Sequence, residues 1–206
     1  MDRTRISAVV AGLVAVGFLL ASAVFVILGR ASGETQCNGG SVAGGSIGGP
    51  FELIDENGAL RTDKDVLTKP SLVYFGYTYC PDVCPLDVAR NVEAVEILSS
   101  RGYDVLPVFI SVDPERDTPE VLAEWTDYLH PQLLGLTGSN EQVKAASQAY
   151  RTYYKKQDSD DEFYLVDHSV FTYLMLPGSG FADFFGRDVT PELMADRTAC
   201  FIDESR

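Results

Sequence analysis

The sequence predicts an α/β protein with one domain, in which helices flank a mixed central sheet, behind a single N-terminal transmembrane helix. Three observations carry the prediction. An apolar run opens the chain, strand and helix patterns alternate through most of the remaining residues, and two further strand patterns and a helix close it. Alternation of this kind is typical of a sheet with helices on both faces. With 206 residues there is room for one domain of ordinary size plus such an anchor.

The apolar run covers residues 6–28 and contains no charged side chain, and about 20 such residues suffice to span a bilayer. Arg3 and Arg5 precede it, so the positive-inside rule predicts a cytoplasmic segment at 1–5 and an exported remainder. The alternative is a cleaved signal peptide ending in the small residues 21–23, but apolar signal cores usually have only about 7–15 residues. Because no Arg- and Ser-rich presequence precedes the run, we expect a single-pass protein of a bacterial inner membrane with its folded domain in the periplasm.

Residues 29–50 contain three Gly-Gly pairs among small and polar residues, a composition typical of a flexible linker. The exported part is strongly acidic, since residues 31–206 hold 13 basic and 29 acidic side chains, a net charge of −16. Such a surface repels nucleic acid and anionic lipid headgroups. The sequence therefore excludes a nucleic-acid partner.

The folded domain is expected at residues 51–206, and its first half contains a hairpin, two strands and two helices. Asn57-Gly58 lies between two apolar runs and is a strong hairpin turn signal. The two strand patterns are short β-rich apolar runs, as in strands buried on both faces, and the first helix has apolar residues at helical spacing. Thr118-Pro119-Glu120 opens the second helix with a cap residue, a proline and an acid. The predicted bounds are 51–62 for the hairpin, 71–75 and 105–112 for the strands, and 85–100 and 118–129 for the helices.

The second half contains a strand, a helix, a loop, a closing hairpin and a last helix. Ser139 and Gln142 form a capping box, and Pro177-Gly178-Ser179-Gly180 joins the two strands of the hairpin. The predicted bounds are 133–137 for the strand, 139–154 for the helix, 155–162 for the polar loop, 170–176 and 181–185 for the hairpin strands, and 190–200 for the last helix. Strand–helix alternation followed by a hairpin and a helix, with a cysteine pair after the first buried strand, is the plan of the thioredoxin fold.

Cys80 and Cys84 follow that strand, at the end where open α/β sheets present ligands. If the next helix begins at about Cys80 or Pro81, both thiols lie on one helix face with β-carbons within about 5–6 Å, and the helix start favours their thiolate forms. Two thiolates can bind Cu(I), Zn or an iron–sulfur cluster, or cycle between dithiol and disulfide. Thioredoxin-type redox couples use Cys-x-x-Cys, so the wider spacing here suits a metal at least as well. A static disulfide is the third interpretation, which the reactive setting beside two prolines disfavours.

A third ligand would separate the metal and redox interpretations, and the chain has two histidines. His168 stands at the entry to the strand at 170–176, in a loop that faces the active cysteines in a thioredoxin plan, so it is the candidate ligand. The alternative is a loop histidine bonded to backbone. His130 ends a predicted helix, where compensation of the helix dipole accounts for it. Asp167 adjoins His168, but successive strand residues point to opposite faces, so we do not assign it as the partner of that ring.

Weaker signals accompany these residues. The carboxylates of the stretch 113–119 leave the second buried strand at the same sheet edge as the cysteines and could bind a cation. Capping of the next helix by Asp117 or Thr118 accounts for them better. Tyr77 or Tyr79 is expected to border the site.

Cys37 and Cys200 remain, and we predict that they form a structural disulfide. An exported chain permits disulfides, and four cysteines allow three connectivities. If Cys80 and Cys84 are a functional pair, the other two are left to pair with each other. They lie at opposite ends of the domain, where chain termini often meet.

Four stretches, in this order behind the apolar segment, resemble the SCO/SenC family, the copper proteins of cytochrome c oxidase assembly: YFGYTYCPDVCP, FISVDPERDTPEVL, GLTGS and YLVDHS. The resemblance covers most of the chain. It implies a thioredoxin-like fold in which Cys80, Cys84 and His168 bind copper, as Cu(I) or Cu(II). It further implies a membrane-anchored copper chaperone that delivers copper to the dinuclear centre of cytochrome c oxidase subunit II, a role compatible with thiol–disulfide reductase activity at the same cysteines. Other copper chaperones or thiol reductants are further implied partners.

Three alternatives to the chaperone stay open. Cys80 and Cys84 can be the catalytic pair of a thiol–disulfide oxidoreductase that reduces cysteines of an oxidase subunit or another copper protein, with His168 tuning their pKa. Zinc with the same three ligands and one water satisfies the donor count as well. Peroxide reduction on the same fold is weaker, because it would need a single activated cysteine with its own orienting Arg or Thr.

Overall fold

The computed structural model describes Cys37, residues 46–158 and residues 164–206. The predicted transmembrane segment at 6–28 and most of the predicted linker lie outside these residues. Within the described part of the chain, no helix is both long enough and apolar enough to cross a membrane. The anchor therefore stays a prediction from the sequence.

Across the described residues the chain forms nine strands and five helices, largely in the alternating order predicted. The elements are, in chain order, β1 (Glu52–Asp55), β2 (Leu60–Thr62), α1 (Asp63–Val66), β3 (Ser71–Gly76), α2 (Val83–Ser100), β4 (Leu106–Ser111), α3 (Pro119–Leu129), β5 (Leu134–Thr137), α4 (Asn140–Ala149), β6 (Tyr154–Lys156), β7 (Val166–His168), β8 (Thr172–Leu176), β9 (Gly180–Phe185) and α5 (Pro191–Glu204). The last helix extends beyond its predicted end at Cys200, and the single turn α1 was not predicted.

Seven of the strands form one mixed sheet, in the order β2-β1-β5-β4-β3-β8-β9. The central strands β3, β4 and β5 run parallel to one another. At one edge β8 and β9 are antiparallel to their neighbours, and at the other edge β1 and β2 are antiparallel to theirs. This mixed sheet with its flanking helices is the thioredoxin-like fold that the sequence predicts. β6 and β7 form a separate two-stranded ribbon.

β3 is an interior strand of the sheet, between β4 and β8, and all six of its residues are buried. Leu72 belongs to the apolar cluster that contains Leu98 of α2 and Met194 of α5. Phe75 belongs to the other cluster, which contains Leu122 of α3. The predicted strand buried on both faces is therefore confirmed, and the loop that follows β3 begins at a buried, well-packed strand end.

The N-terminal hairpin forms as predicted around its turn. Gly58 has a φ of +78°, in the left-handed region that glycine adopts without penalty. The Asp55 carboxylate accepts hydrogen bonds from the N–H groups of Asn57 (2.9 Å) and Ala59 (2.8 Å) and from Arg61 Nε (2.7 Å). Burial opposes ionisation, but these hydrogen bonds and the Arg61 charge lower the pKa of Asp55. The turn is thus held by a charged side chain at the end of β1.

Two predictions for the region after β5 differ in part from the structure. The helix predicted to reach Tyr154 is α4, which ends at Ala149. Arg151 then adopts a φ of +53°, a left-handed conformation that ends helices. Of the loop predicted at 155–162, residues 155–156 instead belong to β6, which pairs antiparallel with β7. Residues 157–158 lie in neither a strand nor a helix, as predicted, and residues 159–162 lie outside the described part of the chain. Tyr150 stands at helical spacing from Tyr154, but it is a buried core residue that caps α4, whereas Tyr154 opens β6.

Candidate metal centre

The loop between β3 and α2 carries Cys80, and the first turn of α2 carries Cys84. The helix begins at Val83, slightly before the predicted bound of 85 but after the start at Cys80 or Pro81 that would have made both thiols helical. Asp82 before it has the non-helical dihedrals φ −140° and ψ −72°. Cys80 therefore lies in a turn, in which its N–H donates to the carbonyl of Tyr77 (3.2 Å). The expected placement of both thiols on one face of the helix is wrong, because only Cys84 is helical.

The two cysteines nevertheless meet at the helix start. The N–H of Cys84 donates to Cys80 Sγ at 3.3 Å, so the sulfur takes the place of a capping side chain for one of the amides that a first helical turn leaves unpaired. Cys84 is fully buried, Cys80 is 8% exposed, and both are free thiols. An amide aimed at the sulfur, at the positive end of a helix dipole, favours a negative charge on Cys80.

His168 is the last residue of β7, and its ring reaches the cysteines. Nε2 lies 3.3 Å from Cys84 Sγ, and the candidate ligand atoms of Cys80, Cys84 and His168 all lie within 4.8 Å of one another. The antiparallel pairing of β7 with β6 places Tyr154 opposite His168. The structure thus brings together the three residues that the sequence indicated as ligands.

The second ring nitrogen of His168 determines how the imidazole faces the sulfurs. Nδ1 lies 2.9 Å from the Ser169 carbonyl oxygen, which can only accept a hydrogen bond, so Nδ1 carries a proton and donates it. In the neutral ring, Nε2 then presents its lone pair towards Cys84. The rings of Tyr77 and Tyr74 stand perpendicular to the imidazole, at centroid distances of 5.7 and 6.2 Å, so Tyr77 borders the site as expected. A bond from one nitrogen to a backbone carbonyl is a usual way to orient a metal-binding histidine.

The two thiols ionise unequally. Hydrogen bonding with the Cys84 side chain and with the amides of Asp82 and Cys84 lowers the pKa of Cys80 well below that of an ordinary thiol, against the opposing effect of burial. The contact with Cys80 and burial raise the pKa of Cys84. The opposite directions of the two shifts favour the negative charge on Cys80 and the proton on Cys84. A metal ion that binds both sulfurs must displace the proton on Cys84.

A buried polar pair that the sequence did not reveal lies beside Cys84. The hydroxyl of Tyr74 donates to Asp87 Oδ2 (3.0 Å), and Arg187 Nε donates to the other carboxylate oxygen (3.2 Å). Burial, together with the nearby Cys84 and Asp87, raises the pKa of Tyr74, so the phenol keeps its proton. A Cβ on Gly76 would lie 3.0 Å from Cys84 Sγ, so the glycine that ends β3 makes room for the sulfur.

The other two cysteines are bonded to each other. Cys37 and Cys200 form a disulfide with their Cα atoms 5.8 Å apart, and the N–H of Cys37 donates to Glu204 Oε1 at 3.1 Å. These three residues are the second group of closely spaced candidate ligands among the described residues. Disulfide sulfurs offer no thiolate, so this group does not suit a soft metal as the centre at Cys80 does.

His130 and Asp167 have local partners of their own. His130 follows the last residue of α3, as predicted, and its Nδ1 accepts the N–H of Gln132 at 3.1 Å. Asp167 is exposed, and its carboxylate accepts a hydrogen bond from Gln157 Nε2 at 2.7 Å. The described contacts of Asp167 are therefore directed away from the adjacent histidine.

The segment before α3 does more than cap the helix. Thr118 caps it as predicted, with Oγ1 accepting the N–H of Val121 at 3.4 Å. Asp117 instead accepts hydrogen bonds from the N–H and hydroxyl of Thr78 (3.0 and 2.6 Å) and from the hydroxyl of Ser111 (2.6 Å). Burial raises the pKa of Asp117 in spite of these bonds. The two segments are 39 residues apart in the sequence, so no local pattern could have revealed the contact.

A thioredoxin-like sheet with two free cysteines after one of its buried strands, and a histidine from an adjoining two-stranded ribbon beside them, defines a class of proteins suited to bind soft metals or exchange disulfides. Residues 40–203 match the family model described as SCO1/SenC. Protein SenC of Rhodobacter capsulatus is 53% identical over 199 residues, which cover 96% of this chain and 89% of that protein. The chain belongs to the SCO1/SenC family, as the resemblance implied.

Two similar solved structures contain copper. The structure of Arabidopsis thaliana ScoI with copper bound is 42% identical, with a TM-score of 0.73, over 77% of this chain and 99% of that one. The structure of Bradyrhizobium japonicum ScoI with copper bound is 40% identical, with a TM-score of 0.68, over 75% of this chain and 98% of that one. Both likenesses extend over almost the whole of the solved chains.

Proposed function

We propose that this protein is a copper chaperone that serves the assembly of cytochrome c oxidase. The observation that carries the proposal is the convergence of two cysteine sulfurs and one imidazole nitrogen, all within 4.8 Å, near the end of β3. The SCO/SenC family takes part in copper delivery and in assembly of cytochrome c oxidase, and two related structures hold copper. In this proposal Cys80, Cys84 and His168 are the copper ligands.

The donor set favours copper over harder ions. Thiolates and imidazole suit Cu(I), and with an added weak ligand they also hold Cu(II), whereas Mg and Ca prefer oxygen ligands. Zinc accepts the same donors with one water, but both of the related structures named above hold copper. The cysteine pair must be reduced before copper enters, because a disulfide offers no thiolate, and loading releases the proton of Cys84.

The burial of the ligands suits a carrier that gives up its cargo. Cys84 is fully buried, whereas Cys80 is 8% exposed and His168 is half-buried. A ligand from an acceptor protein therefore meets copper from the side of Cys80 and His168, and copper can leave by stepwise ligand exchange. We propose the dinuclear copper centre of cytochrome c oxidase subunit II as the acceptor. Other copper chaperones and thiol reductants would supply the copper and the electrons that keep the pair reduced.

The proposal also includes a location: the inner membrane of a bacterium, with the domain in the periplasm. The uncharged apolar run at 6–28 and the two arginines before it support an anchor of that orientation, and the Cys37–Cys200 disulfide suits an oxidising compartment. A chain retained in the membrane after a carbonate wash, and cleaved by protease added to spheroplasts, is the expected result. Recovery of a shortened chain in the soluble periplasmic fraction would contradict the anchor.

Replacement of one histidine tests the copper site most directly. The reduced full chain in detergent is expected to bind one copper ion per chain, with thiolate-to-Cu(II) absorption in the oxidised complex. His168→Ala should weaken binding by more than about 10-fold, since even loss of a group that only orients a ligand typically costs that much. His130→Ala is the matched control and should bind like the wild type. Equal affinities of the two variants would remove His168 from the site.

A second candidate function is thiol–disulfide exchange, favoured by the unequal ionisation of the two thiols. The Cys80 thiolate would attack a disulfide of an oxidase subunit or another copper protein and form a mixed disulfide. Cys84 would then lose its proton and attack the Cys80 sulfur, which oxidises the pair and releases the partner as a dithiol. Sustained reduction of a disulfide substrate by the metal-free protein, with an external thiol as reductant, would favour this function. The two functions are compatible, because copper loading needs the same reduced pair.

A further inference from the structure

The loop between β4 and α3 contacts both of the segments that carry the proposed ligands. We call residues Asp113–Asp117 the 113–117 loop. Its last residue contacts the turn that carries Cys80, and other side chains of the loop contact the entry to β7, which carries His168. The loop itself contributes no proposed ligand, so its contacts matter for geometry rather than for coordination.

Asp117 holds the turn that carries Cys80. Its carboxylate is fully buried and accepts three hydrogen bonds, two from Thr78 and one from Ser111. Thr78 stands two residues before Cys80, whose own N–H closes the turn on the carbonyl of Tyr77. Because a buried charge that loses its hydrogen bonds is strongly unfavourable, this carboxylate resists displacement of the turn.

Tyr164 holds the strand that carries His168. Its hydroxyl donates to Asp113 Oδ1 at 2.7 Å, and the guanidinium carbon of Arg116 lies 3.6 Å from the centroid of its ring. Arg116 Nε also donates to Asp113 Oδ2 at 2.5 Å, so these three side chains form a closed cluster. Tyr164 is buried and stands just before Val166, the first residue of β7.

The partner strand of β7 is attached to the same loop. Lys156 Nζ in β6 lies 3.0 Å from Glu115 Oε2, and its hydrogen bond and charge lower the pKa of Glu115. Lys156 Nζ also lies 3.7 Å from the ring centroid of Tyr164. The ion pair is half-exposed and adds little by itself, but with the Tyr164 cluster it ties both strands of the ribbon to one loop.

We infer that the 113–117 loop sets the geometry of the copper site, with Asp117 and Tyr164 as positioning residues. Asp117 acts through the position of Cys80, and Tyr164 acts through the position of His168. A loop that contacts both segments determines the distance between the Cys80 sulfur and the His168 imidazole. A metal site requires its ligands to be held within about 0.5 Å of the binding geometry. The inference rests on the proposed binding of copper by these ligands.

Tyr164→Phe tests the contact to the ribbon, because it removes only the hydroxyl that donates to Asp113. Tyr103→Phe is a matched control. The Tyr103 hydroxyl donates to Asp203 at 2.8 Å, and the guanidinium carbon of Arg206 lies 5.6 Å from its ring centroid. This similar cluster joins the chain just before β4 to the end of α5, away from the 113–117 loop.

Asp117→Asn and Thr78→Val test the contact to the turn. Asp117→Asn weakens all three hydrogen bonds of the carboxylate, whereas Thr78→Val removes one hydroxyl and keeps the backbone donor. Asp55→Asn is the matched control, since Asp55 is a buried aspartate that accepts comparable bonds in the N-terminal hairpin. If Asp117→Asn does not fold, as judged by circular dichroism and thermal unfolding, Thr78→Val carries the test.

Copper affinity is measured on the reduced full chain in detergent, by competition for Cu(I) with a chelator of known affinity. The test variants are expected to bind copper about 10-fold more weakly than the wild type, which is the lower end of the usual loss when a residue that orients a metal ligand is removed. The affinities of the control variants should stay within about 2-fold of the wild-type value. Wild-type affinity in Tyr164→Phe and in the folded variants of the turn would overturn the inference.

A double-mutant cycle separates positioning from a general loss of structure. In the His168→Ala background, Tyr164→Phe is expected to cause no further loss of affinity, because it acts through His168. Asp117→Asn should still weaken binding there, because it acts through Cys80. Equal losses from Tyr164→Phe with and without the histidine would overturn the inference. Failure of the wild-type chain to bind copper would instead refute the proposed function, so the two failures are distinguishable.

Discussion

The protein contains two cysteine pairs in opposite chemical states. Cys37 and Cys200 are separated by 163 residues in the sequence and form a disulfide. Cys80 and Cys84 are four residues apart and remain free thiols. Sequence separation alone would favour a disulfide between Cys80 and Cys84 over one between Cys37 and Cys200, since a short loop closes at a lower cost in chain entropy than a long one. The difference therefore comes from the residues that surround each pair.

The surroundings of the two cysteine pairs differ in whether they stabilise a negatively charged thiolate. The Cys80 sulfur accepts the N–H of Cys84 at the start of α2, and His168 lies against Cys84. Such a setting stabilises a thiolate, which is the form of cysteine that binds metals. Beside the disulfide, the N–H of Cys37 is paired with the carboxylate of Glu204, and a nearby anion disfavours a thiolate. The comparison teaches that electrostatics, not spacing, separates the reactive pair from the structural one.

Removal of the disulfide is expected to have the largest effect on stability and little effect on copper. Replacing both Cys37 and Cys200 by Ser should lower the free energy of unfolding by about 2–5 kcal/mol, because the unfolded chain is no longer constrained by a long closed loop. Urea unfolding followed by circular dichroism measures the change. Copper affinity should stay at the wild-type value, and a clear fall would show that this pair also shapes the metal centre.

Removal of one thiol from the pair Cys80 and Cys84 is expected to have a large effect on copper affinity and a smaller effect on stability. Cys84→Ser should weaken Cu(I) binding by more than about 100-fold, or about 2.7 kcal/mol, because a buried soft donor is replaced by a hard, neutral hydroxyl. Its free energy of unfolding should change less than that of the disulfide variant. Chelator competition gives the affinity and urea unfolding the stability. Wild-type affinity in Cys84→Ser would contradict the proposed ligand set.

The buried strands were the elements that the sequence predicted best. β3, β4 and β5 agree with their predicted bounds to within one residue, because strands covered on both faces are apolar along most of their length. The ribbon of β6 and β7 was missed, since its pairing is non-local and three residues per strand leave little pattern. The end of α4 was missed because the helix stops at Arg151, a non-glycine residue in the left-handed conformation. A glycine, the usual residue at this position, would have indicated the helix end in the sequence.

The candidate ligands could be singled out from the sequence, but the contacts that hold them could not. Cys80, Cys84 and His168 are scarce residue types at positions where this fold presents ligands, so the sequence could single them out. The contact between Asp117 and Thr78 spans 39 residues, and no periodicity encodes it. It results from the pairing of β3 with β4, which places the loops after both strands side by side. Positioning contacts of this kind emerge only once the strand order is known.

The smallest expected effect is a difference in pH dependence between thiols of the same protein. In the metal-free reduced protein, Cys80 should still react with iodoacetamide at about pH 6, because contacts with Cys84 and with the start of α2 lower its pKa and the thiolate persists there. The raised pKa of Cys84 keeps that sulfur protonated, so it should react slowly throughout. Peptide mapping by mass spectrometry measures each modification separately.

Cys200 supplies the control when Cys37 is replaced by Ser, which opens the disulfide. Alkylation of Cys200 should fall about tenfold per pH unit below the ordinary thiol pKa of about 8.5, whereas the rate at Cys80 should hold over the same range. A thiolate of low pKa is also a weaker nucleophile, so the comparison is of pH dependence rather than of absolute rate. If the alkylation rate at Cys80 falls with pH in parallel with that at Cys200, the helix start does not stabilise the Cys80 thiolate. The free state of one cysteine pair and the disulfide of the other would then need another explanation.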